Sequence, residues 1–111
     1  MAYDQELADR IRLLIGLAAG LSERKMFGGL AFLIGGNMAI VASGQGGAMV
    51  RVDPEQSEAL IASTPAIVTE MRGRPMPGWL RISSEGLDSD DDLAAWVERG
   101  TGYARSLPPK R

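Results

Sequence analysis

The feature that most constrains this chain is the stretch from residue 24 to residue 52, where glycine clusters separate short apolar runs with a period of two. A period of two is typical of β-strands, because successive side chains point to opposite faces of a sheet. We predict three strands here, over 25–34, 38–43 and 48–52, with glycine-rich turns at 35–37 and 44–47. Turns this short make neighbouring strands antiparallel. The first half of the chain therefore predicts an antiparallel sheet.

Both faces of this predicted sheet are apolar. In the first strand, one face takes Met26, Leu30, Phe32 and Ile34, and the other takes Phe27, Ala31 and Leu33. In the second strand, one face takes Met38, Ile40 and Ala42, and the other takes Ala39 and Val41. A sheet with one face in water alternates apolar and polar residues instead. Either helices cover both faces or one face meets another molecule, and with three short helices we expect a homodimer or a partner-binding sheet face.

Three helices are predicted around the strands. The first, over 4–19, has an apolar stripe at helical spacing, made of Leu7, Ile11, Leu14, Ile15 and Ala18. The stripe is widened by Leu13, Leu17 and Leu21. We therefore expect this helix to be buried on more than one side and to stop at Gly20.

The second and third helices are predicted from their starts. Asp53 and Pro54 begin a helix that runs to about residue 62. Ser89 begins the last helix, and its buried side is predicted to hold Leu93, Trp96, Val97 and Ala104. Two more strands are predicted at 67–71 and 79–83, separated by a Pro- and Gly-rich segment that is either a loop or a bulged, exposed edge.

The predicted order, α-β3-α-β2-α, indicates an α+β fold in which an antiparallel sheet packs with helices. The 111 residues suit a single domain over 1–111, with a frayed tail over 106–111. No apolar stretch approaches the roughly 20 residues that a membrane span needs, and we expect a cytoplasmic protein.

Composition excludes most catalytic chemistry. The chain has no histidine and no cysteine, so it lacks an imidazole base, a thiolate nucleophile and the common transition-metal ligands. The acidic run at 85–92 lacks the spacing of a calcium loop and is interpreted as a solvated helix start. We expect no enzymatic activity, no cofactor and no metal. The net charge of −2 argues against direct nucleic-acid binding.

Two segments, 24–29 and 71–79, carry residues typical of contact surfaces. Arg, Met and Trp are enriched in such surfaces. The candidate partner-binding residues are Arg24, Lys25, Phe27, Arg72, Arg74, Met76 and Trp79. A structural interpretation stays open for each segment. In the first, Met26 or Phe27 would enter the core while the glycines let a helix lie close. In the second, a Pro-rich hairpin connection would let Trp79 cover the core.

The run Arg24-Lys25-Met26-Phe27-Gly28-Gly29, after an amphipathic helix, resembles the opening signature of the TfoX/Sxy N-terminal domain. The segments 79–87 and 93–97 resemble that family's closing strand and Trp-containing helix. The resemblance implies a bacterial domain of secretion-chaperone-like type. The family's best-known members regulate natural competence as coactivators with the cyclic-AMP receptor protein, and they carry a second, C-terminal domain. The sequence departs from the family at 73–78, where aromatic residues are common.

We therefore expect a stand-alone N-terminal domain, a small regulatory domain that acts by protein contact in transcription or competence. Two alternatives stay open. One is direct nucleic-acid binding through Arg24, Lys25, Arg72, Arg74 and the basic tail. The other is a small-ligand-binding domain that uses a crevice between sheet and helix.

Overall fold

The computed structural model describes residues 3–16, 18–26 and 28–109, and over these residues it shows a six-stranded antiparallel sheet with three helices. The predicted α+β class is confirmed. The helices are α1 (Gln5–Ile15), α2 (Ser57–Ser63) and α3 (Asp90–Ser106). The strands are β1 (Leu21–Met26), β2 (Gly29–Ile34), β3 (Asn37–Ala42), β4 (Ala48–Arg51), β5 (Ile67–Met71) and β6 (Arg74–Ile82). The strand order β1-β2-β3-β4-β6-β5 leaves β1 and β5 at the edges.

The predicted strand over 25–34 is in fact a hairpin of two strands. The chain reverses between Met26 and Gly29, and Gly28 has a φ of +73°, which glycine adopts readily. The order is therefore α-β4-α-β2-α, one strand more than predicted. The glycine pair makes a turn rather than room for a helix. The reversal also places Met26 on the opposite face from Leu30, contrary to the prediction.

The predicted faces of β3 are wrong at its start because of a β-bulge. The register between β2 and β3 shifts after Phe32, which lies opposite Ile40, so that Leu33 lies opposite Met38. Ala39 is the extra residue of the bulge in β3 and has no pairing partner in β2. A slip of one residue exchanges the two faces of a strand. Met38 consequently packs with Leu33, while Ala39 packs on the side of the helices.

The described helices pack on one face of the sheet, which we call the first face. The main core joins buried residues of α1 and α3 to alternate strand residues, among them Ile11, Phe32, Val50, Leu80 and Trp96. Partly buried residues of α2 pack against the same core. In α3 the predicted buried side is confirmed. Gly100 lets α3 approach β3 closely, because a Cβ there would lie 2.5 Å from the carbonyl oxygen of Ala39.

Helix α1 is shorter and more exposed than predicted. Asp4 caps it, since its Oδ1 accepts hydrogen bonds from the backbone N–H groups of Glu6 and Leu7. The helix ends at Ile15 rather than near residue 19. Leu13 and Leu14 are 83% and 42% exposed, because α3 and the sheet lie on one side of α1 only. The predicted burial on more than one side is wrong, and Leu17 lies outside the described residues.

The second half of the chain follows the prediction with one change in length. Asp53 caps a short 3-10 turn that leads into α2, and α2 ends at Ser63. Strand β5 has the predicted bounds, whereas β6 begins at Arg74, earlier than the predicted residue 79. The segment 72–78 contains a two-residue turn and a bulge, since Val68 lies opposite Leu80 while Thr69 lies opposite Met76.

Hydrogen bonds tie α1, the start of α3 and the described segment after α3 to distant parts of the domain. Ser89 caps α3, as predicted, and Arg10 of α1 donates hydrogen bonds to Asp90 Oδ1 at 3.0 Å and to the Asp88 carbonyl at 3.2 Å. Part of the acidic run therefore joins α1 to the start of α3. Beyond α3, the Asn37 side chain donates to the carbonyl of Pro108 at 2.9 Å. Among the described residues, no helix has the length and apolar character to cross a bilayer.

Candidate functional site

The face of the sheet opposite the helices, which we call the second face, carries an apolar cluster of its own. Its buried members are Ala31, Leu33, Met38, Val41 and Met49, and Met26 and Trp79 pack against them. All of these are strand residues, and no described helix residue belongs to the cluster. The five buried members are at most 9% exposed, because they pack against one another. The predicted apolar character of both faces is confirmed.

Four arginines occupy strand positions on the second face. Arg24 lies opposite Ala31 at the β1 edge, Arg51 lies opposite Trp79, and Arg81 lies opposite Met49. Arg74 precedes Met76 by two residues, and Met76 lies opposite Thr69 on this face. Since the side-chain direction alternates along a strand, these guanidinium groups are distributed around the apolar cluster.

The carboxylates in the strands are directed to the other side. Glu23 lies opposite Phe32, whose side chain belongs to the main core. Glu70 lies next to Thr69 in β5, so its position faces away from the second face. No described strand position on the second face carries Asp or Glu. The chain has a net charge of −2, yet this face carries only positive charge at its strand positions.

On the first face, Glu23 of β1 forms an ion pair. Arg12 of α1 donates from Nε and Nη2 to the two carboxylate oxygens of Glu23, at 2.8 and 2.9 Å, and from Nη1 to Asp9 at 2.8 Å. The hydrogen bonds from Arg12 hold the pKa of Glu23 below its usual 4.5. Within the described part of the chain, the salt bridges involve only Arg10 and Arg12. The four arginines of the second face have no described carboxylate within 4.0 Å.

One of these arginines is held by aromatic rings. The Arg51 guanidinium carbon lies 5.1 Å from the centre of the Trp79 ring and 5.6 Å from that of Tyr103 in α3. Both distances suit cation–π attraction, which contributes about 0.5–1 kcal/mol at exposed sites. Helix α3 thereby fixes Arg51 and Trp79 at one end of the second face, although its core contacts lie on the first.

The structure brings four of the seven predicted contact residues to this face. They are Arg24, Arg74, Met76 and Trp79. Lys25 lies on the first face, opposite Leu30. Arg72 lies in the β5–β6 turn with a φ of +54°, and Phe27 lies outside the described residues. The two predicted segments do not meet. Arg24 and Arg74 are four strand spacings apart, about 19 Å across the sheet.

Sequence reasoning missed the central residues of this face. Met49, Arg51 and Arg81 were not among the candidates, although the apolar pattern of both faces was recognised. The signal was available, because Arg51 follows Met49 by two residues and Arg81 follows Trp79 by two. A period of two places each arginine on the face of its apolar neighbour.

The fold defines a small α+β domain whose helices cover one face of a six-stranded antiparallel sheet and leave the other to its own side chains. The model of the TfoX N-terminal domain matches residues 13–104, from within α1 to near the end of α3. The chain belongs to the TfoX N-terminal domain family. No curated protein matches it.

Proposed function

We propose that this chain is a cytoplasmic regulatory domain that acts by binding a protein rather than by catalysis, and that the second face is its contact surface. The observation that carries the proposal is an apolar strand cluster, edged by four arginines, over which no described helix packs. Protein interfaces combine an apolar centre with Trp, Met and Arg in this way. The family's association with competence and regulation supports the regulatory role.

The charge of the second face favours an acidic partner. Its strand positions offer guanidinium groups and no carboxylate, and complementary charge speeds encounter and selects among partners. A homodimer through the same face, one of the two arrangements expected from the sequence, would bring two sets of arginines into one interface with no strand carboxylate on either copy to offset them. The charge pattern therefore favours a different, acidic protein over a second copy of this chain.

Nucleic-acid binding has less support from the same face. Proteins that bind single strands on a sheet stack bases on several aromatic rings. Among the described residues of the second face, Trp79 is the only aromatic one, and Arg51 already packs on its ring. Aliphatic and Met side chains fill the centre, which suits a protein surface better than a row of bases.

The proposal is tested with two neighbouring charge reversals. Arg24→Glu changes the second face, whereas Lys25→Glu makes the same change one residue later on the opposite side of β1. Each variant and the parent chain would be used to capture proteins from a lysate, with cross-linking and mass spectrometry to locate the contacts. We expect the parent and Lys25→Glu to recover the same acidic protein, with cross-links around the second face, and Arg24→Glu to recover much less.

A second variant tests the centre of the second face, and circular dichroism excludes loss of binding by unfolding. Met49→Lys places a charge at the centre of the apolar cluster, and circular dichroism checks its fold. If Arg24→Glu and Met49→Lys both recover as much of the partner as the parent chain does, or if the cross-links are confined to α1 and α3, the proposal is contradicted. Light scattering that shows a stable dimer abolished by Met49→Lys would replace the acidic partner with a second copy. A salt-sensitive DNA shift lost in Arg24→Glu would replace it with nucleic acid.

A further inference from the structure

A cavity of about 220 Å³ opens on the second face beside Arg81. Val41 and Met49 contribute apolar surface to it, and Thr69 and Arg81 contribute polar groups. The volume lies below the roughly 300 Å³ at which pockets for drug-sized ligands begin. The cavity therefore suits a small molecule or a single side chain.

Thr69 brings an unusual polar group to this cavity. The residue is only 4% exposed, and its Oγ1 has no hydrogen-bond partner among the described residues. A buried hydroxyl without a partner is costly to the fold, and such groups are rare in native proteins. The pairing of β5 with β6 is irregular at this residue, since Val68 lies opposite Leu80 whereas Thr69 lies opposite Met76.

Arg81 supplies a guanidinium that is nearly unused. Of its five N–H donors, one makes a contact, to Ser43 Oγ at 3.5 Å, which is at the outer limit of a hydrogen bond. No carboxylate within the described ranges lies within 4.0 Å of Arg81. Arg81 lines both this cavity and a larger one of about 490 Å³ that Ile67 and Ser84 help to line.

We propose that the cavity between Thr69 and Arg81 binds a carboxylate. The planar guanidinium offers two parallel N–H donors to the two oxygens. The Thr69 hydroxyl, whose oxygen is shielded from solvent in this structure, turns towards the cavity and donates a further hydrogen bond. Val41 and Met49 contact the hydrocarbon part. Glu70 borders the cavity as well, although its strand position faces away from the second face. Its negative charge opposes any anion there, and it opposes a doubly charged phosphate more strongly than a singly charged carboxylate.

The carboxylate has two sources, a free small acid or an acidic residue of a bound protein. The second source rests on the proposed function, whereas the first does not. Both are tested on the isolated domain by following backbone amide signals in nuclear magnetic resonance. The probes are 3-methylbutanoate, its neutral amide, inorganic phosphate and a blocked peptide in which one Glu is flanked by leucines.

We expect 3-methylbutanoate to shift the amides of Thr69, Met49 and Arg81 with a dissociation constant on the order of 1 mM, typical of a few-atom ligand. The amide and phosphate should bind about tenfold more weakly or not at all. If the peptide binds more tightly than the free acid and its shifts extend to Met38 and Trp79, the source is a protein. If it binds no more tightly, the source is a free acid, and the protein-contact proposal is judged by its own experiment.

Three variants test the roles of the two residues. Arg81→Gln should weaken 3-methylbutanoate about tenfold or more, while Arg74→Gln, on the same face of the same strand but outside the cavity, should leave binding unchanged. Thr69→Val should weaken it about threefold or more and also raise Tm without ligand, because it removes the unpartnered hydroxyl. No shift up to about 20 mM, tighter binding of phosphate or of the amide, or unchanged binding in Arg81→Gln would overturn the proposal.

Discussion

The two faces of this sheet carry similar apolar side chains, but described helices cover only one of them. Leu30 and Phe32 of β2 lie under the helices in the main core, whereas Ala31 and Leu33 of the same strand face away from them. Alternation of apolar residues on both sides of a strand requires cover on both sides. The described chain provides helices for the first face only. The second face instead relies on its own strand side chains, which pack against one another.

The two faces also differ in the pairing of their charged side chains. Glu23 and Arg24 are neighbours in β1, yet Glu23 is bound by Arg12 of α1 while Arg24 lies on the opposite face with no described carboxylate near it. Charges that serve the fold are paired within the described domain. Of the seven described arginines that make no salt bridge, four lie on the second face.

The largest effect is expected from a matched pair of truncations in β2. Leu30→Ala removes a side chain packed between sheet and helices and should cost about 3 kcal/mol of unfolding free energy, as in other well-enclosed cores. Leu33→Ala makes the same change on the second face. Leu33 is 7% exposed against 4% for Leu30, but its cluster contains strand residues only, and we expect a cost of about 1–2 kcal/mol because those side chains can close over the gap. Chemical denaturation of both variants measures the difference.

Equal losses for the two leucines would mean that the second face is enclosed as fully as the first. That outcome would remove the reason to seek a partner there. If a partner is found, its binding should be weakened by Leu33→Ala and not by Leu30→Ala, once both variants are shown to be folded.

A smaller effect is expected where α3 approaches the first face. Gly100→Ala puts a Cβ 2.5 Å from the carbonyl oxygen of Ala39, so helix or strand must move, and we expect a loss of about 1–3 kcal/mol. Gly102→Ala is the control in the same helix. A Cβ there meets nothing within 4 Å, and the gain in helix propensity should stabilise the domain by about 0.5–1 kcal/mol. Thermal unfolding that moved in the same direction for both would contradict the close approach.

Much of the fold could be predicted because local signals were strong. The glycine clusters mark the turns, the two-residue period marks the strands, and Ser89 marks the start of α3. These features depend on residues close together in the chain. The α+β class and the bounds of β5 followed from them.

The errors arose where a local pattern has two structural solutions. Gly28 fits both a strand and a turn, so the β1–β2 hairpin was read as one strand. The bulge at Ala39 depends on pairing with β2, which no single segment reveals. The exposure of Leu13 depends on where α3 lies.

The candidate site was half predictable for a similar reason. The apolar second face followed from alternation, and so did the expectation that something covers it. The cavity did not, because Thr69, Met49 and Arg81 come from three strands and meet only through the order β4-β6-β5. The net charge also gave no indication of a positive face, since the whole chain is slightly acidic.

The smallest effect concerns the ion pair of the first face. Glu23→Gln removes the carboxylate that Arg12 binds, and its cost should be slight and should shrink with added salt, because the pair is partly exposed. The folded pKa of Glu23 lies below its usual 4.5, so the pair stabilises the domain above that pH and the contribution is lost as the pH falls through the folded pKa. Denaturation at several pH values should show parent and Glu23→Gln stabilities converging in acid. Arg24→Gln, one residue away on the second face, should leave this acid dependence as in the parent. If Arg24→Gln altered it and Glu23→Gln did not, the division of charge between the two faces would be wrong.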